Sequence, residues 1–142
     1  MRKSAVVDTS VLVSAFLFRE STPGRVIALA EQNVYTLYLS PILPEEVTRS
    51  LHHPRLKKAY GYADVDVQAW CHTLKQIGKV WEKELPDVGP VCRDPDDEHV
   101  LACAQVVGAS WIVTGDHDLL ELKVYKGVQI VSARTFLEEM GH

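Results

Sequence analysis

Apolar positions along this chain follow two periods, short β-branched runs and longer stretches with an apolar residue every third or fourth place. Residues 4–7 (Ser-Ala-Val-Val) predict a first strand. Residues 10–18 (Ser-Val-Leu-Val-Ser-Ala-Phe-Leu-Phe) have a β-branched content that also suits a strand. They read as a helix because Asp8 and Thr9 precede them as capping residues. Pro23 opens a second helix through Gln32, with Val26, Ile27 and Ala30 as its apolar stripe. Tyr35 to Leu39 predicts a strand, and a helix carrying Glu45, Glu46, Val47 and Leu51 follows, ended before Pro54.

Residues 64–78 predict a further helix, with Val67, Trp70, Leu74 and Ile77 on one face. Lys79 to Glu82 reads as a short strand and Pro86 to Pro90 as a loop. A helix from Pro95 to Val107, strands at Ser110–Val113 and Val128–Val131, and a closing helix from Arg134 to Met140 complete the pattern. Alternating strands and helices predict an α/β fold around a mostly parallel sheet. No internal repeat, low-complexity segment or linker interrupts the 142 residues, and one domain spanning 1–142 is expected.

Composition narrows the class. Apolar content of 46% and charged content of 24% are ordinary for a globular chain. No apolar run reaches membrane-spanning length, and Met1-Arg2-Lys3-Ser4 leads into a strand without a signal-peptide pattern. A cytoplasmic protein without a membrane anchor is expected. Cys71, Cys92 and Cys103 are scattered and odd in number, which argues for reduced thiols and against a disulfide framework or zinc ribbon. The net charge of -4 argues against a generic nucleic-acid coat protein. It leaves room for a nucleic-acid enzyme whose acidic site is offset by bound cations.

The informative residues are acids at the edges of elements. Asp8 ends the run Ala5-Val6-Val7-Asp8, and Asp116 ends Ile112-Val113-Thr114-Gly115-Asp116. Ligands of parallel sheets bind beyond the carboxyl ends of the strands, so these two carboxylates meet if their strands are neighbours. Two like charges about 4 Å apart repel by roughly 4 kcal/mol near a protein surface. A divalent cation relieves that repulsion, and oxygen ligands suit Mg²⁺ or Mn²⁺. Asp94-Pro95-Asp96-Asp97 opens a helix, where capping and the helix dipole account for acids equally well. Asp97 lies one turn before the apolar Val100 and Leu101, which turns it toward the strand ends.

Glu45 and Glu46 lie near a helix start at Pro41 or Pro44, and spacing does not say which faces inward. Asp118 reads as a turn or cap residue with ligand use as the alternative. Ser10 and Thr114 offer hydroxyls that either orient the acids or bond the local backbone. The histidines show no ligand spacing, although His99 and His117 lie close to the acids. Arg49, Arg55, Lys57 and Lys58 form the one basic stretch, either a solvated face or a guide for a phosphate backbone. Tyr60, Tyr62 and Trp70 could stack on bases, with core packing the better reading for Trp70. P-loop, dinucleotide-binding and nucleophile-elbow motifs are absent. Ser10 stands where an aspartyl phosphatase needs a second Asp.

Four blocks in order resemble the PIN domain nucleases, particularly a small bacterial and archaeal group assigned as toxins of toxin–antitoxin pairs. They are Val7-Asp8-Thr9-Ser10-Val11-Leu12-Val13-Ser14, Ser40-Pro41-Ile42-Leu43-Pro44-Glu45-Glu46-Val47, Arg93-Asp94-Pro95-Asp96-Asp97-Glu98-His99-Val100-Leu101-Ala102-Cys103-Ala104, and Ile112-Val113-Thr114-Gly115-Asp116-His117-Asp118-Leu119-Leu120. The resemblance covers nearly the whole chain. It selects Glu46 over Glu45, and Ser10 replaces the Asn usual after Asp-Thr. It implies a three-layer α/β/α fold with a mostly parallel sheet of about five strands. It also implies a ribonuclease dependent on Mg²⁺ or Mn²⁺. Asp8, Glu46, Asp97 and Asp116 would be the core ligands, Asp94 and Asp118 outer contributors, and Ser10 and Thr114 supporting groups. An RNA substrate, an antitoxin protein and a homodimer are the implied partners. A PIN-like module that binds RNA or protein without turnover uses the same residues and is the alternative.

Overall fold

The sheet determines where everything else sits. In the computed structural model, which describes residues 3–92 and 95–142, six strands line up. They are β1 (Ser4–Val7), β2 (Thr36–Leu39), β3 (Gly78–Val80), β4 (Trp111–Val113), β5 (Val124–Tyr125) and β6 (Val128–Val131). Their spatial order is β3-β2-β1-β4-β6-β5. All pairings are parallel except that of β5 with β6. The five expected strands form the parallel part, with shorter bounds at β2, β3 and β4. The added β5 is a two-residue edge strand folded back through Lys126 and Gly127, both at positive φ.

Helices cover both faces. They are α1 (Thr9–Leu17), α2 (Thr22–Glu31), α3 (Leu43–Leu51), α4 (Pro54–Tyr60), α5 (Asp64–Ile77), α6 (Glu98–Val107), α7 (His117–Leu122) and α8 (Ala133–Glu139). A 3₁₀ turn at Pro95–Asp97 leads into α6. Every residue of β1 is buried, as a central parallel strand with helices above and below requires. Helix α6 packs on β1, β2 and β4. Among the other helices, α1 lies against α2 and α3, α2 against α8, and α3 against α5. The core joins Val6, Leu12, Leu39, Leu101, Ile112 and Phe136, all fully buried. Burying each such side chain contributes about 1.5–3 kcal/mol.

Strand order creates the site. From β1 the chain builds outward through β2 and β3, then returns to the other side of β1 with β4 and continues to β6. The reversal falls between β1 and β4, the place where doubly wound sheets open a crevice at their carboxyl ends. Val7 pairs with Val113 in register, so the residues after each strand come abreast.

Candidate active site

Asp8 follows β1 and caps α1, its Oδ1 accepting the Thr9 amide at 2.8 Å. Thr114, which follows β4, donates its hydroxyl to Asp8 Oδ2 at 2.7 Å. The same hydroxyl oxygen accepts the Asp116 amide at 3.0 Å. Asp8 is 6% exposed. Burial pushes its carboxyl above the usual range, against the lowering effect of the Thr114 and Thr9 hydrogen bonds. His99 lowers it further, and the charge of Glu46 adds only the smallest of the named effects. Desolvation, more than crowding of acids, raises this group.

Helix α3 starts at Leu43, with Pro44 in its first turn. Successive helix positions differ by about 100°, so its two glutamates diverge. Glu45 points to solvent and pairs with Arg49 at 3.5 Å. Glu46 turns inward, where its Oε1 accepts the Thr9 hydroxyl at 2.9 Å and lies 2.9 Å from His99 Nε2. His99 Nδ1 lies 2.7 Å from Ser40 Oγ. Nε2–H donates to Glu46 in either charge state of the ring that carries a proton there, and Ser40 Oγ partners Nδ1.

Asp116 caps α7, its Oδ1 accepting the Asp118 amide at 3.4 Å. Its Oδ2 is buried and has no hydrogen-bond partner among the described residues. A covered carboxylate oxygen without a donor is costly unless a cation or water completes it. Asp97 ends the 3₁₀ turn and lines the same groove as Asp8, Thr9, Ser10, Glu46 and Asp116. The groove encloses about 350 Å³. A larger cleft of about 590 Å³ opens on the outer side of α3, beside Glu45 and Cys71, away from the carboxylates.

Asp8, Glu46, Asp97 and Asp116 therefore share one groove. Ser10 borders it and accepts the Gly115 amide at 3.2 Å, tying the turn after β1 to the turn after β4. Asp118 is half-buried beside Asp116, and Asp94 lies outside the described residues. Tested as a cation site, the donors fit in kind, being carboxylate oxygens with one orphaned oxygen among them. They are not drawn in on a single point: no three of His, Cys, Asp or Glu among the described residues stand ready to hold one ion.

The basic stretch is not part of the groove. Arg49 pairs with Glu45, and Lys57 with Asp64, which also meets His52 at 3.0 Å. Arg55 and Lys58 are exposed on α4. Of the aromatics, Trp70 is buried and donates to the Leu12 carbonyl. Tyr62 donates to the Leu51 carbonyl and packs edge-on against Phe16. Tyr60 packs against Phe18 with both rings half exposed. The residue that sequence reasoning undervalued is His99. Its place four residues before the buried Cys103 puts it on the inward face of α6, and that spacing was the available signal.

An α/β/α sheet with its crevice lined by four carboxylates defines a PIN-type architecture, and the PIN domain family model matches residues 4–118. The chain belongs to the PIN domain family. An uncharacterized protein of Methanocaldococcus jannaschii, MJ1680, is 28% identical over 123 residues, spanning 83% of this chain and 74% of its own. The crystal structure of VapBC2 from Rickettsia felis bound to a DNA fragment from their promoter contains a chain of the same fold. It superposes with a TM-score of 0.56 at 13% identity, over 89% of this chain and 96% of that one.

Proposed function

We propose that this protein is a ribonuclease dependent on Mg²⁺ or Mn²⁺, with the four-carboxylate groove as its active site. The observation that carries the reading is Asp116 Oδ2, buried without a donor in a groove it shares with Asp8, Glu46 and Asp97. Asp8, Glu46, Asp97 and Asp116 would hold the ion, with Asp94 and Asp118 as outer contributors. When bound, the ion supplies Lewis acidity and lowers the pKa of a coordinated water. The chain's own residues do the positioning. Thr9 and Thr114 hold both oxygens of Asp8 in one orientation. His99, braced by Ser40, and Thr9 both hold Glu46 Oε1. Ser10 keeps the two turns at a constant separation. In-line hydrolysis forms a P–O bond from water, which gives up a proton to solvent, and breaks the P–O ester bond on the opposite side, whose oxygen leaves as an alcohol after taking up a proton.

The motif resemblance supports an RNA substrate and the role of toxin in a toxin–antitoxin pair. The fold likeness to VapBC2 agrees with that role and with an antitoxin partner. A homodimer and a cytoplasmic address belong to the same reading. Among the described residues, no helix is long and apolar enough to cross a membrane.

Purified protein is expected to cleave single-stranded RNA with Mn²⁺ or Mg²⁺ and to lose that activity with EDTA. Asp8→Ala and Asp116→Ala should each cut it by at least about a hundredfold, the upper end of what outer-sphere changes cost. Cleavage that survives EDTA, or survives Asp8→Ala, would overturn the reading. A binding module without turnover is the second reading, favoured by carboxylates that do not yet converge. It predicts RNA or protein binding with no cleavage at any metal concentration.

A further inference from the structure

The carboxylate groove continues into a second cleft. Ser10 borders both, and beyond it a space of about 400 Å³ is lined by Ser14, Thr22, Thr114, Ser132 and Arg134. This volume is in the range of sites that seat a nucleotide-sized ligand. Val11, Pro23 and Ala133 supply its apolar surface, so a base or ribose meets both packing and hydroxyl groups. Thr22 and Arg134 in turn border a third, polar cleft with Arg25 and Glu138. The three spaces adjoin one another through these shared residues, and in that order they lead from the carboxylates past Ser10 to two guanidinium groups.

Neither arginine is committed elsewhere. Arg25 is exposed and joins no ion pair among the described residues. Arg134 meets Glu138 only at 3.9 Å, with both side chains largely exposed, a pair too loose to compete with a phosphate. The basic stretch of α3 and α4 differs in place: none of Arg49, Arg55, Lys57 and Lys58 lines the groove or the two clefts that adjoin it. A chain of net charge -4 needs cations beside its acidic groove to hold a polyanion, and this path supplies them.

We propose that the path from Ser10 to Arg134 and Arg25 seats the nucleotides flanking the scissile phosphate of a single-stranded RNA, with the two arginines on its phosphates. The proposal rests on the nuclease reading of the adjoining groove. Ser10, Ser14 and Thr22 line the path with hydroxyls of the kind that meet a 2′-hydroxyl and so distinguish RNA from DNA, whereas the Ser132 hydroxyl is taken up in capping α8. Strand continuity with the carboxylates favours nucleic acid over a protein ligand, which would have no reason to follow the groove.

The test is fluorescence anisotropy of a short labelled oligoribonucleotide with Ca²⁺ in place of Mn²⁺, alongside cleavage kinetics with Mn²⁺. Arg25→Ala combined with Arg134→Ala should weaken RNA binding about tenfold and raise KM with kcat nearly unchanged. The slope of log affinity against log salt should fall by about 1.4, at about 0.7 for each phosphate that no longer meets an arginine. Ser14→Phe, which fills the second cleft without removing charge, should raise KM while Mn²⁺ affinity stays at the wild-type value. Unchanged RNA affinity and KM in the double variant would overturn the proposal, as would equal loss from Arg55→Ala with Lys58→Ala. Wild-type protein that shows no metal-dependent cleavage would sink the nuclease reading instead. The salt slope in Ca²⁺ would still decide where RNA lies.

Discussion

Glu46 and His99 show how much of this site depends on single hydrogen bonds. Glu46 Oε1 takes two donors, the Thr9 hydroxyl and the His99 imidazole, and His99 is itself braced by Ser40. Groups that orient a metal ligand through a second hydrogen bond commonly change metal affinity or activity by about 10–100-fold when removed. His99→Ala should therefore weaken Mn²⁺ binding by about that factor, read by titration calorimetry. His99→Gln, whose amide can still donate toward Glu46, should recover part of that affinity, which a general packing defect would not do. Equal metal affinity in wild type and His99→Ala would show that Thr9 alone positions Glu46. At this scale the sequence was uneven. Asp8 and Asp116 were legible because each closes an apolar strand. Glu46 was distinguishable from Glu45 only through the motif, since two adjacent acids in a first turn have the same capping account. His99 carried no ligand spacing, because its role runs through Glu46.

At the scale of elements, the tight turn that leads from α1 into α2 depends on Gly24. A Cβ there would lie 2.0 Å from the Arg19 carbonyl oxygen and 2.9 Å from that of Phe18. Backbone atoms cannot step aside as a side-chain tip can. Gly24→Ala should destabilise the protein by about 1–3 kcal/mol or more, the cost typical of overpacking. Urea denaturation measures it, and a change under about 0.5 kcal/mol would mean that α2 shifts freely. Since Thr22 lines the cleft beside Arg134, the same variant should also raise KM for RNA. The strongly patterned elements were legible in the sequence to within a few residues. The exceptions have physical causes. Helix α4 buries none of its residues, so no apolar period marks it. Helix α7 buries only Leu119, and β5 has two residues, too few to define a period. Gly24 itself was hidden in a helix start attributed to Pro23, because the folding of the preceding turn onto it leaves no mark in the hydrophobic pattern.

The whole molecule couples its fold to the charge state of the groove. Parallel strand order forces Asp8 to the centre of the sheet's carboxyl edge, where burial raises its proton affinity. In the unfolded chain the same carboxyl titrates near its ordinary value, about 3.9. Between that value and the raised folded one, the native state binds more protons than the unfolded state. Stability of the metal-free protein therefore falls as pH rises through this window, and the penalty is complete above it. Asp8→Asn removes that charge and keeps an oxygen to accept the Thr9 amide, while its NH2 obliges the Thr114 hydroxyl to turn from donor to acceptor. The variant should be more stable than metal-free wild type at neutral pH, and the difference should shrink as pH falls toward the ordinary carboxylate value. Mn²⁺ should reverse the order, because an ion that binds the native groove stabilises only the protein that can hold it. Proton and metal compete for the same oxygens, so Mn²⁺ affinity and RNA cleavage should decline on the acid side at a pH above the ordinary carboxylate value. Thermal unfolding of both proteins across pH, with EDTA and then with Mn²⁺, checks each step. If wild type were the more stable protein at neutral pH in EDTA, the Thr9 and Thr114 hydrogen bonds would outweigh burial. The groove would then be closed to cations by its own network.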